Sequence, residues 1–93
     1  MERPQIYKIA TYTYELLQSE DLEDNRVKAI YKDIGSSNYE VVIIRENKVT
    51  ERIIWGTLVK FKPYKMPGNE DFGKFGWHFV TKDQSEIKYA SIV

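Results

Sequence analysis

The chain of 93 residues has no cysteine, one histidine and three prolines, and its 14 basic residues are balanced by 14 acidic residues. The lack of cysteine excludes disulfide frameworks, thiolate zinc sites and thiol nucleophiles. A formal net charge of zero differs from the positive charge that is typical of nonspecific duplex binders. We therefore expect no cofactor, no metal site and no catalytic site.

Long apolar runs are also missing. No run approaches the 18 or so residues that span a membrane, and the N-terminus MERPQIYK lacks the apolar centre of a signal peptide. The sequence thus predicts no membrane contact, with the cytoplasm as the default compartment. At 11.0 kDa the chain is too short for two hydrophobic cores, so residues 1–93 should form one small domain.

Runs rich in β-branched and aromatic residues predict a mainly antiparallel sheet. The predicted strands cover residues 6–17, 26–32, 39–46, 52–61 and 76–81, and polar turns separate them, the first at 19–25. Residues 39–46 are apolar on both faces, which indicates a central strand. Residues 26–32 alternate, so we expect Arg26, Lys28 and Lys32 on a face open to water, and residues 52–61 should form a long fourth strand or an edge ribbon.

A short helix should follow the last strand. Asp83 and Glu86 have the spacing of a capping box, in which Asp83 is the N-cap. Ile87, Ala90 and Val93 would then form its apolar stripe. The predicted fold class is α+β: a twisted antiparallel sheet of four or five strands with one C-terminal helix.

The run MPGNEDFGKFGWHFVTKDQSE at residues 66–86 is the most unusual stretch. Its glycines and aromatic residues favour a tight turn around Gly73 and Gly76 that lays the rings against the sheet. In the alternative interpretation, lysines and aromatic rings form a surface for a protein partner or for single-stranded nucleic acid. The residues of this candidate surface are Lys60, Lys62, Tyr64, Lys65, Lys74, Phe75, Trp77 and His78.

His78 is the only histidine, and a lone histidine is more often structural than catalytic or metal-ligating. The chain has no GxGxxG, P-loop, HExxH or nucleophile-elbow motif, so the common enzyme signatures are absent. We therefore predict that the protein is not an enzyme. A hydrolase centred on His78 is the third hypothesis.

Two resemblances follow from these motifs. The order of YEV at 39–41, PGNEDFGKFGWHF at 67–79 and a short helix resembles small uncharacterised proteins of bacterial genomes and mobile elements. That resemblance covers Tyr39 to Ala90 and implies no activity. The segment WHFVTKDQSEIKYA at 77–90 is similar to the last strand and helix start of three-stranded DNA-binding domains at integrase N-termini, which are basic, whereas this chain is not.

The sequence predicts a non-enzymatic binding module, of phage or mobile-element type, that acts through a protein partner. Nucleic-acid binding through the candidate surface is the alternative. Self-association through an open sheet edge is a further option, since unpaired strand edges attract other strands.

Overall fold

The computed structural model describes the backbone of residues 1–93 and every side chain except that of Asn69. It confirms the α+β class, with a curled antiparallel sheet and a single C-terminal helix. The elements are β1 Ile6–Ile9, β2 Tyr12–Leu22, β3 Arg26–Asp33, β4 Tyr39–Glu46, β5 Glu51–Ile54, β6 Thr57–Lys60, β7 Tyr64–Lys65, β8 Gly76–Phe79 and α1 Lys82–Ser91, with a 3-10 turn at Asn69–Asp71.

The main sheet has the order β1-β2-β3-β4, and the far side of β4 pairs with both β8 and the two-residue β7. All of these pairs are antiparallel. The register of β2 on β3 shifts between Leu16 and Gln18, and such a bulge increases the local twist. The predicted central position of residues 39–46 is confirmed, because β4 lies between β3 and β8 and is buried on both faces.

Two apolar clusters cover the two faces of this sheet. The first contains Tyr14, Val27, Ala29, Tyr31, Val42 and Ile44, and the N-terminal part of the chain packs on it together with Tyr64 and Met66. The second contains Ile30, Val41, Ile43, Tyr89 and Ile92, with Phe75, Trp77 and Phe79 packed against it. A sheet with both faces covered buries apolar side chains at nearly every position of its central strands.

The prediction that residues 26–32 have one face open to water is wrong. Lys28 is buried, and its Nζ donates hydrogen bonds of 3.0 Å to the carbonyl oxygens of Tyr89 and Ile92 at the end of α1. The ammonium also lies 4.2 Å from the centre of the Tyr89 ring. Lysine is tolerated there because the carbonyl groups and the partial negative charge at a helix C-terminus bind a cation well.

The predicted strand at residues 6–17 is divided in two. The chain turns at Ala10 and Thr11, with Ala10 at a φ of 51°, so that β1 folds back on β2. The predicted turn at 19–25 shrinks to residues 23–25, because β2 continues to Leu22. Polar side chains do not interrupt β2, since its backbone pairs with β3 whatever side chains it carries.

Residues 52–61 form a hairpin instead of one long strand. β5 and β6 are antiparallel, and Ile54 pairs with Thr57, so Trp55 and Gly56 make a two-residue loop. Both loop residues have positive φ, 50° and 76°. This is the type I′ geometry that matches the twist of the flanking strands.

The N-cap of helix α1 lies two residues before the predicted one, Asp83. Thr81 is the N-cap, and its Oγ1 accepts a hydrogen bond of 3.2 Å from the amide of Gln84. The predicted apolar stripe is also wrong, since Ile87 is 73% exposed and Val93 is 96% exposed. The buried positions are instead Ser85, Tyr89 and Ile92, because the small Ser85 lets α1 approach the sheet and the large Tyr89 fills the space beyond it.

Replacing Thr81 with alanine should lower the free energy of unfolding by about 1 kcal/mol, because it removes the N-cap acceptor. Asp83→Ala removes only a favourable charge in the first turn and should have the smaller effect, at most about 0.5 kcal/mol. Urea denaturation of both variants tests the order. A larger loss in Asp83→Ala would place the cap at residue 83 after all.

Candidate functional site

A two-stranded hairpin projects from the end of β4. We call residues 47–63 the arm; it contains β5 and β6, which pair only with each other. At its base the amide of Asn47 donates a hydrogen bond of 2.9 Å to the carbonyl of Pro63, and Nδ2 of Asn47 donates one of 3.1 Å to the carbonyl of Lys62. These bonds close the base of the arm, and most side chains beyond it are exposed to solvent.

The arm carries a group of large apolar side chains that the rest of the chain does not cover. Trp55 at the tip is 99% exposed, and Ile53 is 72% exposed. The complete group is Val49, Ile53, Ile54, Trp55, Leu58 and Phe61. An isolated two-stranded hairpin is marginal in water, and contiguous exposed apolar surface marks an interaction site. The arm is therefore the strongest candidate for a binding element.

The tip residue adopts an unfavourable backbone conformation. Trp55 has a φ of 50°, a left-handed value that costs a non-glycine residue about 1–2 kcal/mol. Asparagine or glycine is the usual residue at this place in a type I′ turn. Strained backbone of this kind concentrates at functional sites, which is consistent with a role for the exposed indole.

Charges are confined to the inner half of the arm, nearest the sheet. Four basic side chains and one acidic side chain lie there, whereas residues 53–58 at the outer end are uncharged. Glu51 lies opposite Lys60 across the hairpin. The charged residues are Lys48, Glu51, Arg52, Lys60 and Lys62.

A pocket of about 300 Å³ opens at the base of the arm. We call it the arm-base pocket; its lining residues are Asn47, Val49, Arg52, Phe61 and Lys65. An aliphatic group, an aromatic ring and a guanidinium meet at this pocket. Such a lining suits a flat aromatic side chain, which gains both apolar contact and a cation–π interaction.

The residues of the predicted candidate surface do not lie on one face. Lys60 and Lys62 are on the arm, and Tyr64 packs on the first apolar cluster. Phe75 and Trp77 pack on the second cluster, on the opposite side of the sheet. Of the remaining residues, Lys65 lines the arm-base pocket, Lys74 lies in the loop before β8, and His78 lies in β8.

Side chains of the same chain stack on the rings of the glycine-rich run. The Arg45 guanidinium lies 4.0 Å from the centre of the Phe75 ring, and the Lys88 ammonium lies 4.2 Å from the Trp77 ring. Arg45 also pairs with Asp71 at 3.0 Å. Both rings are thus half-buried and capped by a cation, and the fully exposed indole of the chain is that of Trp55.

Sequence reasoning treated Trp55 as an ordinary strand residue and missed the arm. The available signal was the dipeptide Trp55-Gly56 between two apolar runs, since glycine at the second loop position permits a type I′ turn. That signal is weak, because the first loop position is normally asparagine, aspartate or glycine.

His78 belongs to a different cluster, built around a buried carboxylate. Tyr7 donates a hydrogen bond of 2.9 Å from its hydroxyl to Oε2 of Glu40, and Nδ1 of His78 lies 4.0 Å from Oε1. Among the residues that the structure describes, no three acidic or histidine side chains lie close enough together to hold a metal ion. The hydrolase hypothesis centred on His78 stays a prediction.

Three tyrosines on this face of the sheet have raised pKa values. Burial is the largest cause for Tyr7, Tyr14 and Tyr31, and the negative charge of Glu40 raises the pKa of Tyr7 and Tyr14 further. Their hydroxyl groups therefore keep their protons at pH values where an exposed tyrosine ionises. The sequence places Glu40 in a strand but does not identify it as the hydrogen-bond partner of Tyr7.

These shifts predict a loss of stability in alkaline solution. Above about pH 10 the phenols ionise in the unfolded chain but stay protonated in the folded one, so the unfolded state binds fewer protons. The contribution of each buried phenol to the free energy of unfolding should be complete below that pH. Above it, the free energy of unfolding should fall by about 1.4 kcal/mol per pH unit for each phenol. Urea denaturation across this range measures how the free energy of unfolding changes with pH. Tyr7→Phe should reduce this slope by the contribution of one phenol. An equal slope in both proteins would contradict the raised pKa of Tyr7.

No family model matches the chain, and neither the curated proteins nor the solved structures contain a match to it. The resemblance to mobile-element proteins stays a prediction. In the part of the chain described here, no helix is long and apolar enough to cross a membrane.

Proposed function

We propose that the protein is a non-enzymatic binding module that acts through a protein partner, and that the arm is its contact element. The observation that carries the proposal is the fully exposed Trp55 at the tip of a hairpin whose faces both carry uncovered apolar side chains. Tryptophan is enriched among the residues that dominate binding energy at protein interfaces. A hairpin stabilised by a partner also explains why apolar groups remain on an element that contributes little to the core.

The experiment places a photoreactive aromatic amino acid at position 55, in extract of cells that produce the protein. The same group at Tyr12, which is half-exposed and outside the arm, is the matched control. We expect a cross-linked product at position 55 that protease removes and nuclease does not. Equal labelling from both positions, or none from position 55, would contradict the proposal.

Nucleic-acid binding is the second candidate function, and the arm also supplies the observation that favours it. Arg52, Lys60 and Lys62 share the hairpin with the exposed Trp55, and binders of single strands combine basic groups with a ring on which a base stacks. Titration with labelled single-stranded and duplex oligonucleotides at two salt concentrations tests it. Phosphate contacts would make the affinity fall steeply with salt, and no binding at low salt would eliminate this candidate.

A further inference from the structure

We infer that the partner of the arm is a protein with an apolar cleft whose rim carries carboxylate groups. The outer end of the arm, residues 53–58, enters the cleft, and the basic side chains of the inner half meet the rim. This inference rests on the proposed function, because it states the chemistry of the partner that the same element binds. It adds the shape of the partner surface and the sign of its charge.

The outer end of the arm is apolar on both faces of the hairpin. Ile53 pairs with Leu58 across the hairpin, whereas Ile54 is the next residue along β5. Residues paired across a hairpin project to the same side, and successive residues of a strand project to opposite sides. Ile53 and Leu58 are therefore exposed on one face, and Ile54 is exposed on the other. A flat surface covers only one face, so a partner that covers both faces and Trp55 must be concave.

The apolar area of the outer end agrees with such a cleft. Its four exposed apolar side chains present roughly 400 Å², about half of it from the tryptophan. A cleft covers all four at once, because it encloses both faces. Each partner in an interface of standard size buries about 800 Å², so the charged inner half has to supply the remainder. The four side chains are those of Ile53, Ile54, Trp55 and Leu58.

The inner half of the arm carries positive charge that is available to a partner. We call its four basic residues the basic collar: Lys48, Arg52, Lys60 and Lys62. All four are exposed, and in the described part of the chain none of them forms a salt bridge with a carboxylate. Arg52 lies on the same face as Ile54, and Lys60 lies on the opposite face, because it pairs with the residue before Arg52. The basic collar therefore meets both sides of a cleft.

The charge distribution of the whole chain also favours an acidic partner. Residues 47–63 contain four basic residues and one acidic residue, an excess of three positive charges. Because the formal net charge of the chain is zero, the remaining residues have an excess of three negative charges. The arm attracts an acidic surface and the rest of the molecule repels it, so the encounter is directed to the arm.

Two other anionic partners fit the arm less well. A membrane surface sorts groups by depth, with apolar residues beyond the basic ones. On the arm, however, the exposed apolar residues Val49 and Phe61 lie on the sheet side of Arg52 and Lys60. A single-stranded nucleic acid offers its bases to aromatic rings, which leaves the aliphatic Ile53 without an apolar counterpart. A protein cleft supplies apolar contacts and carboxylates together.

The first experiment maps both faces of the arm onto the partner. The photoreactive aromatic amino acid is placed at position 53 or at position 54, in the same extract that is used for position 55. We expect both positions to label the protein that position 55 labels, because a cleft encloses both faces. Labelling of that protein from one of the two positions only, or from neither, would overturn the cleft.

Charge reversal tests the acidic rim. Lys60→Glu combined with Lys62→Glu should lower the yield of cross-linking from position 55 at least about 10-fold at physiological salt. The matched control combines Lys8→Glu with Lys74→Glu, at two exposed lysines outside the arm. It changes the net charge by the same amount and should leave the yield within about twofold of the wild type. Circular dichroism verifies both folds, and equal yields from the two double variants would overturn the acidic rim.

A carbodiimide identifies the rim directly, because it joins an amine to a carboxylate without a spacer. The protein that position 55 labels is purified and mixed with the wild-type chain. We expect an amide bond between Lys60 or Lys62 and an aspartate or glutamate of that protein, located by mass spectrometry. Coupling confined to lysines outside the arm, or no coupling, would overturn the rim.

Vesicles of phosphatidylcholine and phosphatidylserine test the lipid surface as the alternative. The chain has two tryptophans, so the emission of the Trp77→Phe variant reports on Trp55 alone. We expect no change in this emission when vesicles are added. A shift to shorter wavelength would show that the tip enters the lipid surface and would overturn the inference.

Failure of this inference differs from failure of the proposed function. When position 55 labels a protein but charge reversal and the carbodiimide give no effect at the basic collar, the inference is rejected and the proposed function stands. When position 55 labels no protein, the proposed function fails and the inference fails with it.

Discussion

Tyr31→Ala is expected to lower the free energy of unfolding by about 3–5 kcal/mol, the range for removing a buried aromatic side chain. Tyr31 is fully buried in the first apolar cluster. Its ring meets that of Tyr7 edge to face, with the ring centres 4.8 Å apart, and its hydroxyl donates a hydrogen bond of 2.7 Å to the carbonyl of Pro4. Alanine would leave a cavity between the N-terminal part of the chain and the sheet.

Two further variants separate the contributions to this loss. Tyr31→Phe removes only the hydrogen bond and should lower the free energy of unfolding by about 1 kcal/mol. Tyr12→Ala is the control on a half-exposed tyrosine of the same sheet, and its effect should be within about 1 kcal/mol. Urea denaturation measures all three, and equal losses at Tyr31 and Tyr12 would contradict the burial of Tyr31.

Lys28→Met should lower the free energy of unfolding by about 2–3 kcal/mol. Methionine keeps the aliphatic contacts of the side chain but removes the donor of two hydrogen bonds to the end of α1. Hydrogen bonds from charged groups contribute about 1.5–3 kcal/mol each, and removing a buried charge recovers part of that because its desolvation is relieved. The two lost bonds outweigh that gain, since the carbonyl of Ile92 loses the lysine donor and that of Tyr89 keeps only the amide of Ile92, at 3.2 Å.

The matched control is Lys32→Met, four residues later in the same strand and partly exposed. It should change the stability by no more than about 0.5 kcal/mol. Hydrogen exchange of the α1 amides provides a second measurement, because loss of the lysine should release the last turn of the helix first. Unchanged protection of that turn in Lys28→Met would contradict the role of the ammonium in holding the end of α1.

The sequence predicted the central strand of the sheet well and the hairpin and helix cap at the edge of the fold poorly. The bounds of β4 match the predicted strand at residues 39–46, because a run that is apolar on both faces has only one favourable place, inside the sheet. The helix was found, but its cap was assigned to Asp83 instead of Thr81. Both residue types cap helices, and the choice between them depends on where β8 ends, which local sequence does not encode.

Which face of a strand is buried depends on elements that are distant in the chain. Lys28 alternates with apolar neighbours as a solvent-exposed residue would, yet the end of α1, some 60 residues later, covers it. The arm shows the opposite case: Ile53 and Leu58 read as half-buried strand residues but no other element covers them. Alternation of apolar and polar residues indicates that a segment is extended, but it does not indicate which element packs on it.

The left-handed turn at Trp55 has a consequence for protein engineering. Libraries selected for yield or heat resistance should replace this residue with asparagine, because that change relaxes the backbone at no loss to the core. The improved variants would then be expected to lose the proposed recognition, because a sequence optimised for folding alone would discard the residue to which we assign the contact.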